Sequence, residues 1–207
     1  MKSLKYAAMA LLSVVGCRKD EEVTAEHLRI FTVKKGRHDF TPPEFRSVYR
    51  LSRLGSLDYE VVFDASCTYT IPGEDQGDFN KGGGLSFDLT SNTKNAAMWA
   101  WRHTPGVGIE LTGYFHEAGQ TYIGMPDELV AMVIHPGDRV KIQVWRAFDT
   151  WKVTFVKLDA QGNGIEYAEH EKMFARYHSL GYRIGLWFGG NQPAPNDMQV
   201  WVDFDKK

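Results

Sequence analysis

The sequence predicts an all-β fold of two antiparallel sheets packed face to face, with one short helix. Three observations carry this expectation. From His27 onward the chain is a series of short runs rich in β-branched and aromatic residues, broken by Gly, Pro and Asn. Within those runs apolar and polar residues alternate, the period of a strand with one buried face. The composition is that of a globular chain, 43% hydrophobic and 13% aromatic, enough to fill a sandwich core and leave rings for a surface.

The N-terminal segment MKSLKYAAMALLSVVGC sets Lys2 and Lys5 ahead of a short apolar run, Tyr6 to Val15, followed by Gly16 and Cys17. That run is too short to cross a bilayer and reads as a signal peptide, residues 1–16. Val14-Val15-Gly16-Cys17 resembles the lipobox of bacterial lipoproteins, which implies that the Cys17 thiol is lipidated and heads the mature chain. A plain secretory signal with an unmodified cysteine is the alternative. Arg18-Lys19-Asp20-Glu21-Glu22 resembles the export tag of surface-exposed lipoproteins of some Gram-negative bacteria, and reads equally as a solvated tether. The expected location is therefore the outer membrane, at the cell surface, with residues 17–26 as lipidated cysteine and tether and 27–207 as one domain.

Formal charge is −2, from 26 acidic and 24 basic residues, and loss of Lys2 and Lys5 with the leader takes it to about −4. No basic field is present to hold nucleic acid. Of the two cysteines, Cys67 would be alone once Cys17 carries lipid, so no disulfide framework is expected. Cys67 sits in DASCTYTI beside alternating residues and reads as a small buried hydrophobe.

The clearest strands are LRIFTVK, LDYEVVFDAS, GGLSFDL, AAMWAWR, VGIELTGYFHE, DELVAMVI, DRVKIQVWRA, TWKVTFVKL, YRIGLWF and MQVWVDF. With shorter pieces they suggest about eleven or twelve strands. DRVKIQVWRA and TWKVTFVKL read as a hairpin joined at Ala147-Phe148-Asp149-Thr150. EHEKMFARYH puts Met173, Phe174 and Tyr177 on one side, and this is the expected helix.

Splitting each strand into two faces gives Ile109, Leu111, Gly113 and Phe115 inward, against Glu110, Thr112, Tyr114 and His116. Val140, Ile142 and Val144 oppose Lys141, Gln143 and Trp145. In the last strand Met198, Val200, Val202 and Phe204 oppose Gln199, Trp201 and Asp203. The same rule sends Tyr182, Ile184, Leu186 and Phe188 inward, with Arg183, Gly185 and Trp187 opposite, and offers Met98 and Ala100 to the core against Trp99 and Trp101. The expectation is one ligand face made of Tyr114, His116, Gln143, Trp145, Arg183 and Trp187. Rings beside hydrogen-bonding groups suit a pyranose, whose apolar face stacks while its hydroxyls are bonded. They also suit a packing layer under a loop or helix.

The two-faced strands, the VKIQVWRAFDTWKVTFV hairpin and the segments DFNKGGGLSFDL, NAAMWAWR and LWFGGNQPAPNDM resemble the concanavalin A-like lectin and glucanase jelly roll, in the style of lipoproteins from glycan-foraging bacteria. The resemblance covers about residues 57–204 and implies a jelly-roll sandwich acting on or binding glycan, a fold that hosts lectins, hydrolases, lyases and pure binders. The Glu-x-Asp-x-x-Glu run of its hydrolases is missing, and the nearest approximations are Asp58-Tyr59-Glu60 and Asp203-Phe204-Asp205. Tyr114, His116, Gln143 and Arg183 imitate the Tyr, His, Arg and Gln set that the resemblance implies for lyases. The leading expectation is non-catalytic glycan binding; a lyase or hydrolase, or a protein-binding surface subunit, is the alternative.

No cofactor is expected. Glu74 to Asn80 offers oxygen ligands without the spacing of a Ca²⁺ loop and reads as a solvated turn, and the seven histidines show no zinc spacing, so no metal is expected. In GGNQPAPND, Gly189 and Gly190 permit angles closed to other residues while Pro193 and Pro195 stiffen the rest of the segment. Asn196 and Asp197 are expected to serve structure, and Asn191 and Gln192 to be available to a ligand.

Overall fold

The computed structural model describes residues 28–43, 47–88, 94–125, 127–176 and 178–206. The leader, Cys17, the tether and Tyr177 lie outside the described residues. The strands are β1 (Arg29–Val33), β2 (Phe40–Thr41), β3 (Val48–Arg50), β4 (Ser56–Phe63), β5 (Asn80–Ser86), β6 (Ala96–Thr104), β7 (Gly108–Glu117), β8 (Gln120–Ile123), β9 (Met132–Ile134), β10 (Arg139–Ala147), β11 (Thr150–Leu158), β12 (Gly164–Met173), β13 (Leu180–Ile184) and β14 (Met198–Lys206). They form two antiparallel sheets, in the orders β12-β11-β10-β4-β14-β1-β2 and β3-β13-β5-β6-β7-β8, with β9 beside β7. This is the jelly-roll sandwich the sequence predicts. Both sheets interleave strands distant in sequence, so the core closes only when the whole domain folds.

Between the sheets, Val61, Phe63, Ile142, Val144, Val153, Phe155, Val200 and Val202 meet Leu85, Trp99, Trp101, Ile109, Leu111 and Phe115. Cys67 is fully buried there, its thiol donating to the Gln199 carbonyl at 3.1 Å. Burial pushes that thiol up to about 12, which makes it unreactive. The β10–β11 hairpin forms at the expected residues, with Ala147 opposite Thr150.

Two sequence expectations are corrected. The first half of the expected helix, residues 169–173, is the far half of β12, which pairs with β11 from Gly164 to Met173. Its residues also fit a period of two: His170 points inward and is fully buried, while Glu169 and Glu171 both bind Lys152 across the sheet. Pairing along a whole neighbouring strand outweighs a weak helical pattern. Second, Trp99 and Trp101 are core residues with no exposure, and Met98 and Ala100 face the other way. The reason is in β5, where Gly82 lies against the Trp99 ring and a Cβ at that position would fall 2.0 Å from it. The glycines of β5 thus make room for the Trp99 indole.

Candidate functional site

The outer face of the second sheet is read from its register. Residues directly opposite on paired strands share a face. Ser86 lies opposite Tyr182 and Ala96, and Ala96 opposite His116. One row on, Gly84 lies opposite Ile184 and Met98, and Met98 opposite Tyr114. Lys81 lies opposite Trp187 and Ala100. The centre of this face is apolar: Ala96, Met98, Tyr182 and Ile184 form a second buried cluster with Tyr114 against it. Around it stand Lys81, Tyr114, His116 and Trp187.

These side chains act on one another. The Lys81 ammonium lies 5.7 Å from the Tyr114 ring centre, and the Tyr114 and His116 rings meet edge to face at 5.2 Å. His116 Nδ1 shares a hydrogen bond with Thr121 Oγ1 at 3.1 Å, while its Nε2 is buried without a partner among the described residues. Burial, then the Lys81 charge, lowers the His116 pKa and favours the neutral imidazole. Burial also lowers that of Lys81, offset in part by Asp78, and raises that of Tyr114. Burial dominates all three shifts.

Trp187 is 44% exposed. One face of its ring stacks on His38 at 5.4 Å and 11°, and a hydrogen bond of 2.8 Å between His38 Nδ1 and the Phe188 carbonyl holds that imidazole in place. Beside it is a cleft of about 190 Å³ lined by Phe40, Pro42, Lys81, Arg183, Ile184 and Trp187, among others. Asp39 also lines it, in an ion pair with Arg37.

The six residues expected on one face are divided. Tyr114, His116 and Trp187 share the outer face of the second sheet. Gln143 and Trp145 are on β10, on the outer face of the first sheet, at the other side of the sandwich. There Gln143 donates to Asp58 Oδ1, and the Lys152 ammonium lies 5.6 Å from the Trp145 ring centre. Arg183 has the opposite phase to its expectation. It lies opposite Leu85, with its guanidinium 4.1 Å from the Phe204 ring centre, and reaches the cleft from beneath. The expected Tyr, His, Gln and Arg constellation therefore does not assemble. Alternation sends Tyr182 and Ile184 inward because they are apolar, but this sheet carries apolar residues on both faces. β13 then ends at Ile184, and the strand phase breaks before Trp187. Sequence reasoning missed Lys81, although it is the one cation in the Gly-rich β5.

The segment GGNQPAPND is a structural strap with an exposed crest. Gly189 N donates to Asn80 Oδ1 at 2.7 Å. Gly190 has φ +73°, and a Cβ there would fall 2.7 Å from the Asp78 carboxylate. Ala194 N donates to the Arg37 carbonyl and the Ala194 carbonyl accepts from Gly36 N. Asn196 Nδ2 donates to the Ser66 carbonyl, and Asp197 accepts from Lys34 Nζ and Lys35 N, so both serve structure as expected. Asn191 and Gln192 are exposed at the crest. The acidic run forms a 3-10 turn, Glu74–Gly77, and no group of three or more His, Cys, Asp and Glu among the described residues is placed to hold a metal ion.

No family model matches the chain, and no curated protein does. Solved structures do. The alginate lyase vAL-1 from Chlorella virus is 10% identical with TM-score 0.50, the match covering 87% of this chain and 85% of that one. An alginate lyase from Klebsiella pneumoniae is 12% identical with TM-score 0.49, covering 74% of this chain and 60% of that enzyme. The class defined is a two-sheet antiparallel jelly roll; at these identities the likeness extends to the fold.

Proposed function

We propose that the protein is a lipid-anchored jelly roll of the outer membrane surface that binds glycan without cleaving it, at Trp187 and the cleft beside it. The observation that carries this reading is the Trp187 ring. It is backed on one face by His38, partly exposed, and lines the cleft with Lys81 and Arg183. A pre-stacked indole loses little entropy when a sugar ring packs on it, and flanking cations supply hydrogen-bond donors to hydroxyl or carboxylate oxygens. Asn191 and Gln192, on the strap after Trp187, are close enough in sequence to add amide contacts. The anchor is supported by Cys17 after its short apolar run.

The test is a glycan array on residues 18–207, repeated with Trp187→Ala. The reading requires at least one hit that Trp187→Ala weakens; an array without hits, or hits indifferent to the substitution, removes it.

A second reading, a polysaccharide lyase, is favoured by the convergence of Lys81, Tyr114 and His116. A neutral imidazole and a phenol in contact are a base and an acid for β-elimination, and Lys81 is a counter-charge for the intermediate. Ultraviolet detection of unsaturated product from any array hit decides between the two.

A further inference from the structure

One end of the sandwich carries the two most exposed large apolar side chains among the described residues. At it, β10 turns into β11 through Phe148 and Asp149, β12 finishes at Met173, and the chain crosses to β13. Phe174 N donates to the Asp149 carbonyl at 3.0 Å and Leu51 N to the Ser179 carbonyl at 2.9 Å, tying these turns together. Phe148 is 94% exposed and Met173 71%. Phe148 also has φ +57°, a left-handed backbone that a bulky residue adopts at a cost and glycine adopts freely. A large apolar side chain is thus held in water at a position where local energetics favour its removal.

Charge at this end is one-sided. Arg50, Arg53, Lys94 and Arg176 are exposed, and no carboxylate pairs with them among the described residues. Of the carboxylates nearby, Glu117 pairs with Lys172 and Glu171 with Lys152, Asp88 accepts from Asn95 Nδ2 beside Lys94 and Arg176, and Asp149 is exposed. At the opposite end, the β11–β12 turn is polar and self-bonded, with Asp159 accepting from Gln161 N and Asn163 N.

The described chain begins on the same side, at Leu28. Arg29 is level with Val202, Val61 and Val140 across the first sheet. Because β1 runs antiparallel to β10, Leu28 is on the hairpin side of Arg29. From Cys17 to Leu28 an extended chain spans at most about 40 Å. Phe148 lies about 27 Å ahead of Arg29 along the strand direction, within that reach.

We propose that this end docks on an anionic lipid surface, Phe148 and Met173 entering the interface while Arg50, Arg53, Lys94 and Arg176 face headgroup phosphates. The inference rests on the lipid-anchored reading for proximity alone. The contact is weak by itself and becomes effective at the local concentration a tether provides.

The experiment holds residues 18–207, which contain every described strand, on phosphatidylcholine–phosphatidylglycerol vesicles through an N-terminal hexahistidine tag and a nickel-chelating lipid. An environment-sensitive thiol dye is placed by Phe148→Cys, or by Gln161→Cys at the opposite turn; buried Cys67 does not compete. The expected result is a blue shift and quenching by spin-labelled lipid at position 148, absent at 161 and reduced by salt or by vesicles of phosphatidylcholine alone. In untethered binding, Phe148→Gly should weaken vesicle affinity about fivefold or more, with an unchanged or raised melting temperature. Equal signals from the two probes overturn the proposal, as does displacement of the 148 probe from the bilayer by an acidic polysaccharide, which would make this end a glycan surface. The mass of the mature full-length chain tests Cys17 separately, so a missing lipid removes the anchor without touching the vesicle result.

Discussion

The outer faces of the two sheets differ in kind. On the first sheet, polar groups pair across strands: Gln143 donates to Asp58, Arg139 forms an ion pair with Glu60, and Lys152 bridges Glu169 and Glu171. On the second sheet, Ala96, Met98, Tyr182 and Ile184 are buried on the side away from the core, and the polar residues stand around them. The first face is the solvated side of an ordinary antiparallel sheet. The second is a surface whose centre is desolvated, so its titratable residues Lys81, Tyr114 and His116 have their protonation shifted and its aromatic rim becomes available for stacking. Polarity beside a buried apolar strip, rather than polarity alone, is what marks the candidate site.

The largest expected effect tests the sidedness of the second sheet. Trp99→Ala should cost about 3–5 kcal/mol because it empties the main core; chemical denaturation that finds less than about 1 kcal/mol would put Trp99 outside that core. Met98→Ala, on the opposite side of the same strand, should cost roughly 2–3 kcal/mol. A surface-like change there would mean that the apolar strip is solvated and that the contrast between the faces is false.

A third test uses pH. Burial lowers the pKa of both His116 and His170 below its ordinary value. His170 Nδ1 accepts the Gly113 N–H at 3.1 Å, where β7 changes partner from β9 to β8. A group with a depressed folded-state pKa that is neutral when deprotonated contributes stability fully above its unfolded value, about 6.5. That stability falls as pH drops toward the folded value. Thermal melts should therefore decline from pH 7 to 5, less steeply in His170→Asn, whose amide oxygen can accept the same N–H without titrating. Parallel declines in both proteins would assign the effect to other groups.

The smaller effects sharpen the comparison at the site. Trp187→Ala should reduce affinity for a glycan by about 1–2 kcal/mol with little change in melting temperature, read by titration calorimetry on an array hit. Gln143→Ala, on the first sheet, should leave affinity unchanged and alter stability by no more than about 0.5 kcal/mol; a loss of binding there would move the site to the other side of the sandwich.

By itself the sequence determined the fold class, the hairpin at Phe148 and Asp149, the faces of β7, β10 and β14, and the burial of Cys67. Those features are local: alternation with one aliphatic side and a two-residue turn. Only the tertiary structure decided which outer face each polar residue joins. Tyr114 and Gln143 have the same phase in their strands, yet their sheets look in opposite directions, and strand order follows from long-range pairing that periodicity does not encode. Alternation misplaces Tyr182, Ile184 and Met98 for a related reason. It identifies the core face by contrast with a polar one, and where a sheet is apolar on both sides that contrast vanishes. There the register of β5 with β6 and β13, shaped by glycines that let Trp99 into the core, set the direction of every side chain.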